Sequence, residues 1–444
     1  MVHCLILGLL LLQSAGPSGQ LKEARTALQN NDVPKAEKIL EQLAKTSPRN
    51  AEAFHLLGTL RLAQQRFSEA ETSFQKALEI DPKLVAAYVA LADVRMLENR
   101  PDDALSLLKK GLEVDPKEPR LLMRLGSAEA EAGRLESALK YLGGVPEADA
   151  PPGYWEILGR TLMAAGQFGQ AERAYRQHLK QNPESIQTLR LLSGIALKQG
   201  ENMRAWDYIA QARTTAPNSP DVLYDFAQVS LVNNLVTEAI RAFRILLIMD
   251  PDNPKYLFGI GNALLENVNF PEAETHFQRF VSLRSNDPLG HLMLGYSLSV
   301  KKQYPEAKEQ LEAAVRLDPN LAEAYYHLGV IAHGMKEDEK ALEMFHETLR
   351  RNERHGLAHF GIGRVYFGQR KFPEALAAMQ KAAELIPSDS DLHFNISRVY
   401  AFLNEKEKAK AELEIYSRLS AEAEKREAES RRTLYGNTTA GNPK

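Results

Sequence analysis

Apolar residues recur along this chain in two alternating stripes, each at helical spacing and each followed by a break. Between Ala51 and Leu84, Phe54, Leu57, Gly58 and Arg61 repeat with a helical period, and Ala70, Phe74, Ala77 and Leu78 form a second stripe. An alanine holds one place in the second stripe throughout: Ala36, Ala70, Ala104, Ala138, Ala171, Ala205, Ala239, Ala273, Ala307, Ala341, Ala375 and Ala409. Every step is 34 residues except the 33 between Ala138 and Ala171. Other columns keep the same register. A small residue stands twelve positions upstream, as in Gly58, Gly126, Gly261 and Gly329, and a large apolar residue four positions downstream, as in Phe74, Tyr175, Phe243 and Phe345.

The breaks are written in residues with backbone meaning. Gly133, Gly166 and Gly200, with Asn99, Asn234 and Asn404, sit where a first helix needs a left-handed residue to end. Pro34, Pro271, Pro305 and Pro373 suit the first turn of a second helix, where a missing N–H leaves no bond unmade. Asp81-Pro82, Asp115-Pro116, Asp250-Pro251 and Asp318-Pro319 drive the residue before proline out of the helical region and close the unit. The pattern predicts helical hairpins, with Gly or Ala at the two small columns letting the paired helices approach closely.

A period of 34, Leu-Gly in the first helix, Ala-x-x-x-Phe in the second and a closing proline together resemble the tetratricopeptide-repeat (TPR) family. The resemblance covers about residues 17 to 423. It implies an all-α, right-handed α-solenoid (superhelix) of about twelve TPR helix hairpins, stabilised by stacking neighbour on neighbour. Units beginning near Pro119, Asn253, Ala322 and Ser390 lose the closing proline, and the first unit lacks the family's first-helix aromatic and glycine. The 33-residue step and Gly143 to Gly153 predict a shortened helix and a weak joint, dividing repeats one to four (17–151) from five to twelve (152–423). Residues 424–444 read as a charged helical extension and a disordered tail.

Composition narrows function. Lysine and arginine (55) nearly balance aspartate and glutamate (58), which leaves no basic footprint for nucleic acid and no cationic block for a membrane surface. The single cysteine, Cys4, excludes an internal disulfide, a CxxC metal site and a thiol nucleophile among the repeats. It lies beside the apolar run Leu5 to Leu12, followed by small and turn-forming residues. Residues 1–16 therefore resemble a signal peptide or N-terminal anchor, although only His3 stands in for a positive start. That predicts export, periplasmic or secreted, and a cytoplasmic location if the start is misassigned. The run is too short to span a bilayer, and no other segment is apolar enough to do so.

The family resemblance implies that first helices turn inward and line a concave groove. One residue after the first-helix aromatic column stand Tyr224, Phe258, Leu292, Tyr326, Phe360 and Phe394 in the later units, against His55, Val89, Met123, Glu156 and Arg190 earlier. Four positions on, Asn262, Tyr296, Arg364 and Arg398 share that face with Gln228 and Val330. These ten later-unit residues, from Tyr224 to Arg398, are the candidate partner-binding groove for an extended peptide or amphipathic helix. Arg364 and Arg398 could take a carboxylate.

Other chemistry fits less well. The family's carboxylate-holding set of Lys and Asn is missing, since that column reads Thr59, Asp93, Ser127, Arg160, Gly194 and Gln228. Seven histidines lie between His291 and His393, yet His291, His359 and His393 replace a packing aromatic, and no set has metal-ligand spacing. Gly259-Ile-Gly261 and Gly361-Ile-Gly363 sit inside helix patterns and are not phosphate loops. The expectation is a non-catalytic protein–protein scaffold or adaptor, without cofactor or metal, binding other proteins or peptides. The alternatives are an accessory subunit of an envelope or exopolysaccharide secretion or assembly system and the regulatory arm of a glycosyltransferase complex.

Overall fold

The computed structural model describes residues 19–436; the first eighteen and the last eight residues lie outside them, and with them the expected signal segment and most of the expected disordered tail. Among the described residues there are twenty-four α-helices, one short 3₁₀ turn and no strand. They pair in chain order. α1 (Gly19–Gln29) pairs with α2 (Val33–Thr46), α3 (Ala51–Ala63) with α4 (Phe67–Ile80), α5 (Val85–Leu97) with α6 (Pro101–Val114), and α7 (Pro119–Glu131) with α8 (Leu135–Gly143). Next come α9 (Tyr154–Ala164) with α10 (Phe168–Gln181), then in sequence α11 (Ile186–Lys198) and α12 (Asn202–Thr215), followed by α13 (Pro220–Val232) with α14 (Val236–Met249), and α15 (Pro254–Glu266) with α16 (Phe270–Leu283). The last four hairpins are α17 (Pro288–Val300) with α18 (Tyr304–Leu317), α19 (Ala322–Gly334) with α20 (Asp338–Arg351), α21 (Gly356–Gly368) with α22 (Phe372–Leu385), and α23 (Ser390–Phe402) with α24 (Lys406–Gly436).

This is a helical-repeat solenoid of twelve hairpins. It divides into two compact units, residues up to Ile195 and residues from Ala196, the boundary falling within α11. Within each unit, the second helix of a hairpin packs on the first helix of the next. The segment Gly143 to Gly153, where the sequence suggests a joint, lies inside the first unit. There α8 is cut to nine residues, Val145 is buried, and the Tyr154 hydroxyl donates to the Leu142 carbonyl at 2.9 Å.

Each first helix ends in the same way. Asn31, Gln65, Asn99, Gly133, Gly166, Gly200, Asn234, Val268, Lys302, Lys336, Arg370 and Asn404 all have φ between 56° and 75°. The residue after each donates its N–H five positions back, as from Asp32 to Ala27 (2.8 Å) and from Asn269 to Leu264 (2.8 Å), the Schellman arrangement that satisfies the last helical carbonyls. The Asp before each closing proline is extended as expected, with Asp81 at φ −131°, ψ 92°.

The small columns have a specific packing role. Eleven of the ladder alanines are fully buried and Ala409 is nearly so. The glycine column makes room for the large side chain of the second helix: a Cβ at Gly58 would lie 2.6 Å from the Phe74 ring. Phe345 is enclosed from two sides. A Cβ at Gly329, in its own hairpin, would come within 2.7 Å of the ring, and one at Gly361, in the next, within 2.5 Å. Close packing within and between repeats thus rests on missing methyl groups.

Candidate functional site

The candidate groove residues fall into two sets with different surroundings. In the column Tyr224, Phe258, Leu292, Tyr326, Phe360 and Phe394, most side chains lean on the second helix of their own hairpin. Tyr224 meets Phe243 at 6.1 Å and Tyr256 of the next repeat at 6.1 Å; Phe258 meets Phe277 at 5.8 Å and Phe280 at 5.2 Å. Tyr326 lies 6.0 Å from Phe345 and 5.0 Å from His355. Leu292 and Phe360 are only 4% and 8% exposed, whereas Phe394 is 40% exposed beside Tyr416. These rings border the core, a placement that follows from their register between the buried and outward stripes.

The second column opens outward. Asn262 and Tyr296 are half-buried, and Arg364 and Arg398 are exposed. The structure brings Tyr224, Phe258, Asn262, Leu292 and Tyr296 together around two adjoining hollows. One, of about 460 Å³, is bordered by Tyr224, Gln228, Phe258, Asn262, Phe280 and Leu289. The other, of about 600 Å³, is bordered by Gln228, Leu231, Asn262, Leu292, Tyr296 and His327. Both share Gln228, Leu231 and Asn262, so they form one groove over α13, α15, α17 and the start of α19. Tyr326, Phe360, Arg364, Phe394 and Arg398 do not line it.

His327 is a lining residue that the sequence reading missed. Its ring lies 4.9 Å from Tyr296 and 5.0 Å from Tyr326. Burial pushes its pKa down to about 4 despite the nearby Glu323 carboxylate, so the imidazole is neutral at neutral pH. Glu323 is itself held below the ordinary glutamate range, chiefly by its 3.2 Å bond to His355. Glu266 borders the same hollow, and partial burial raises its carboxyl pKa. The signal for Glu266 was the helical continuation of the column, four positions beyond Asn262, and that for His327 its place directly after the column residue Tyr326.

The first unit holds a further hollow of about 570 Å³ over α3, α5 and α7, walled by Leu62, Phe67, Ala90 and Met96. Asp93 pairs there with Arg124 at 3.0 Å, and burial of its carboxyl outweighs the arginine, raising its pKa. The sequence signal was the alanine-rich α5, in which Ala90 and Ala92 border the hollow and leave it space. Among the described residues no three metal-ligating side chains converge, and no helix is long and apolar enough to cross a membrane.

Comparison with known proteins adds family and fold. A tetratricopeptide-repeat model matches residues 11–267, a TPR-repeat model residues 301–335, and another tetratricopeptide-repeat model residues 338–390. No curated protein matches the sequence. Among solved structures, Cut9 in the APC/C hetero-tetramer Cut9-Hcn1 is 15% identical, with 91% of this chain and 94% of that chain covered and a TM-score of 0.45. MamA is 26% identical over 36% of this chain and 92% of its own (TM-score 0.33). YrrB, a TPR protein with an unusual peptide-binding site, is 25% identical over 42% and 95% (TM-score 0.36). With one repeat model matching more than half of its length and two others matching within the remainder, the chain belongs to the tetratricopeptide-repeat family.

Proposed function

We propose that this protein is a non-catalytic interaction scaffold that holds an extended segment of a partner polypeptide along the first helices of repeats seven to nine. The observation that carries this reading is the pair Gln228 and Asn262. They occupy the same position one repeat apart, border both hollows, and make no hydrogen bond within the chain among the described residues. Side-chain amides both donate and accept, so they can pair with the main chain of a peptide whatever its sequence. Adjacent packed helices lie roughly 9 Å apart, close to three residues of extended chain. Leu231, Leu292 and the Tyr296 ring supply apolar surface between the amides. Besides amides and apolar side chains, the groove offers a neutral imidazole at His327, the carboxyls of Glu266 and Asp287, and the cations Lys255 and Arg284 at its rim.

The test is selection of peptides from a displayed library on the full chain, followed by affinity measurement on the parent and on Gln228→Ala/Asn262→Ala. Two lost hydrogen bonds should weaken the selected peptides about tenfold or more. Peptides that bind the double variant as tightly as the parent would place recognition elsewhere.

A further inference from the structure

A second surface, outside that groove, stands at the turn end of repeats eleven and twelve. Phe372, at the start of α22, and Phe402, at the end of α23, stack at 4.8 Å with their planes 6° apart. Phe367 meets both edge-on, at 5.8 Å and 5.5 Å. Phe402 remains 62% exposed, so this aromatic ridge is not closed by the fold. Cations lie on the rings: the Arg398 guanidinium sits 4.7 Å from the Phe367 centroid and the Lys371 ammonium 5.7 Å from that of Tyr366. Arg370 occupies the left-handed turn position between Phe367 and Phe372, and Arg364 lies one helical turn before Phe367.

None of Arg364, Arg370, Lys371 and Arg398 is bonded to a carboxylate among the described residues, which sets them apart from Arg66, Arg95, Arg124 and Arg134 of the first unit. There Arg66 holds Glu37 at 2.5 Å and Glu69 at 2.6 Å, Arg124 holds Asp93, and Arg95 and Arg134 each have a glutamate. Near the ridge, Glu405 is taken by Lys408 at 2.5 Å and Glu374 faces the N-terminal end of its own helix. A guanidinium lying on an aromatic face keeps its in-plane N–H groups available for a carboxylate, and stacking reduces the freedom lost when one binds.

We propose that this ridge docks an acidic peptide segment carrying an aromatic or large apolar side chain. The apolar residue covers Phe402, and the flanking carboxylates pair with Arg398, Lys371, Arg370 and Arg364. Charge complementarity selects the acidic partner. The stacking of Phe372 on Phe402 favours a peptide over an anionic bilayer, because rings that cover one another cannot each insert between lipid headgroups.

The experiment measures fluorescence anisotropy of a labelled peptide of repeated Asp-Phe-Glu triplets on the full chain, with a Lys-Phe-Lys peptide and phosphatidylserine-containing vesicles as separate arms. The acidic peptide should bind, the basic one should not, and Phe402→Ser or Lys371→Gln/Arg398→Gln should each weaken binding about tenfold. Both variants change exposed side chains, and helicity by circular dichroism shows whether they stay folded. Gln228→Ala/Asn262→Ala should bind the acidic peptide like the parent. Equal affinity in the ridge variants, loss of the peptide from the groove variant, or binding to vesicles without binding to the peptide would each overturn the proposal.

Discussion

Replacing Gly361 by alanine tests whether the missing methyl groups set the stacking of repeats. Taken alone, the change should stabilise α21 by about 1 kcal/mol, the difference in helix propensity between the two residues. The structure opposes it. The new Cβ would stand 2.5 Å from Cζ of Phe345 and 2.8 Å from both Cε atoms, where carbon atoms normally keep about 3.5 Å or more. Phe345 cannot withdraw, because a Cβ at Gly329 would already be 2.7 Å from the ring on its other side, which shows how closely that helix backs it. Overpacking of this kind costs roughly 1–3 kcal/mol, so the net effect should be a loss of about 1 kcal/mol. In a Phe345→Leu background the opposing ring edge is gone, and Gly361→Ala should become stabilising by up to about 1 kcal/mol. Urea unfolding followed by circular dichroism reads the whole chain, and hydrogen exchange across residues 338–368 localises the effect, which matters because repeat arrays need not unfold in one step. If Gly361→Ala stabilises equally in both backgrounds, the glycine is not there for Phe345 and the packing argument fails.

Three further outcomes follow from named side chains. His55 is buried with its Nδ1 unpartnered, and burial pushes its pKa down to about 4. Because the folded value lies below the unfolded 6.5, stability is complete above about pH 6.5 and falls toward pH 4, by roughly 3 kcal/mol for this group. His55→Phe should therefore flatten the decline of the urea midpoint between pH 7 and 5 without abolishing it, since His327 titrates likewise; an unchanged slope would show that burial does not shift the titration of His55 in the fold. Val268 holds a left-handed turn with a β-branched, exposed side chain, so Val268→Gly should stabilise by about 1 kcal/mol in thermal melts, and no change would mean the turn carries little strain. Asn234→Ala, at the equivalent place one repeat earlier, should move the melt in the opposite direction.

Most of the fold is legible in the sequence because it rests on positions that tolerate only small residues. Ala36 to Ala409 mark every second helix, and the register of Gly58 or Gly329 follows from the bulk four residues beyond each ladder alanine. The turns are legible by spacing rather than by identity. Gly133 and Asn99 advertise a left-handed residue, but Gln65, Val268, Lys302, Lys336 and Arg370 do the same work without advertising it, because hairpin closure imposes the conformation. The groove was harder to read. A residue at the border of two helical stripes can lean either way, and the rings at Tyr224 and Phe258 lean on aromatic residues of the second helices while still edging the hollow. The space over α5 depends on what its alanines omit, and the ridge at Phe402 joins two repeats through a turn, so neither appears in any single column.

The recurring left-handed turn also bears on how the gene for such a protein can change length. Every hairpin carries that turn at the same place between its two helices, so a 34-residue stretch lost or duplicated from one such turn to the next joins ends that already fit. The step of 33 between Ala138 and Ala171 shows the tolerance of that scheme, with the missing residue absorbed where α8 is cut short and the chain passes through Pro151 and Pro152 before the next hairpin. Copy number, and with it the length of surface available to partners, is therefore a quantity that inheritance can adjust in whole steps while each hairpin keeps its own packing.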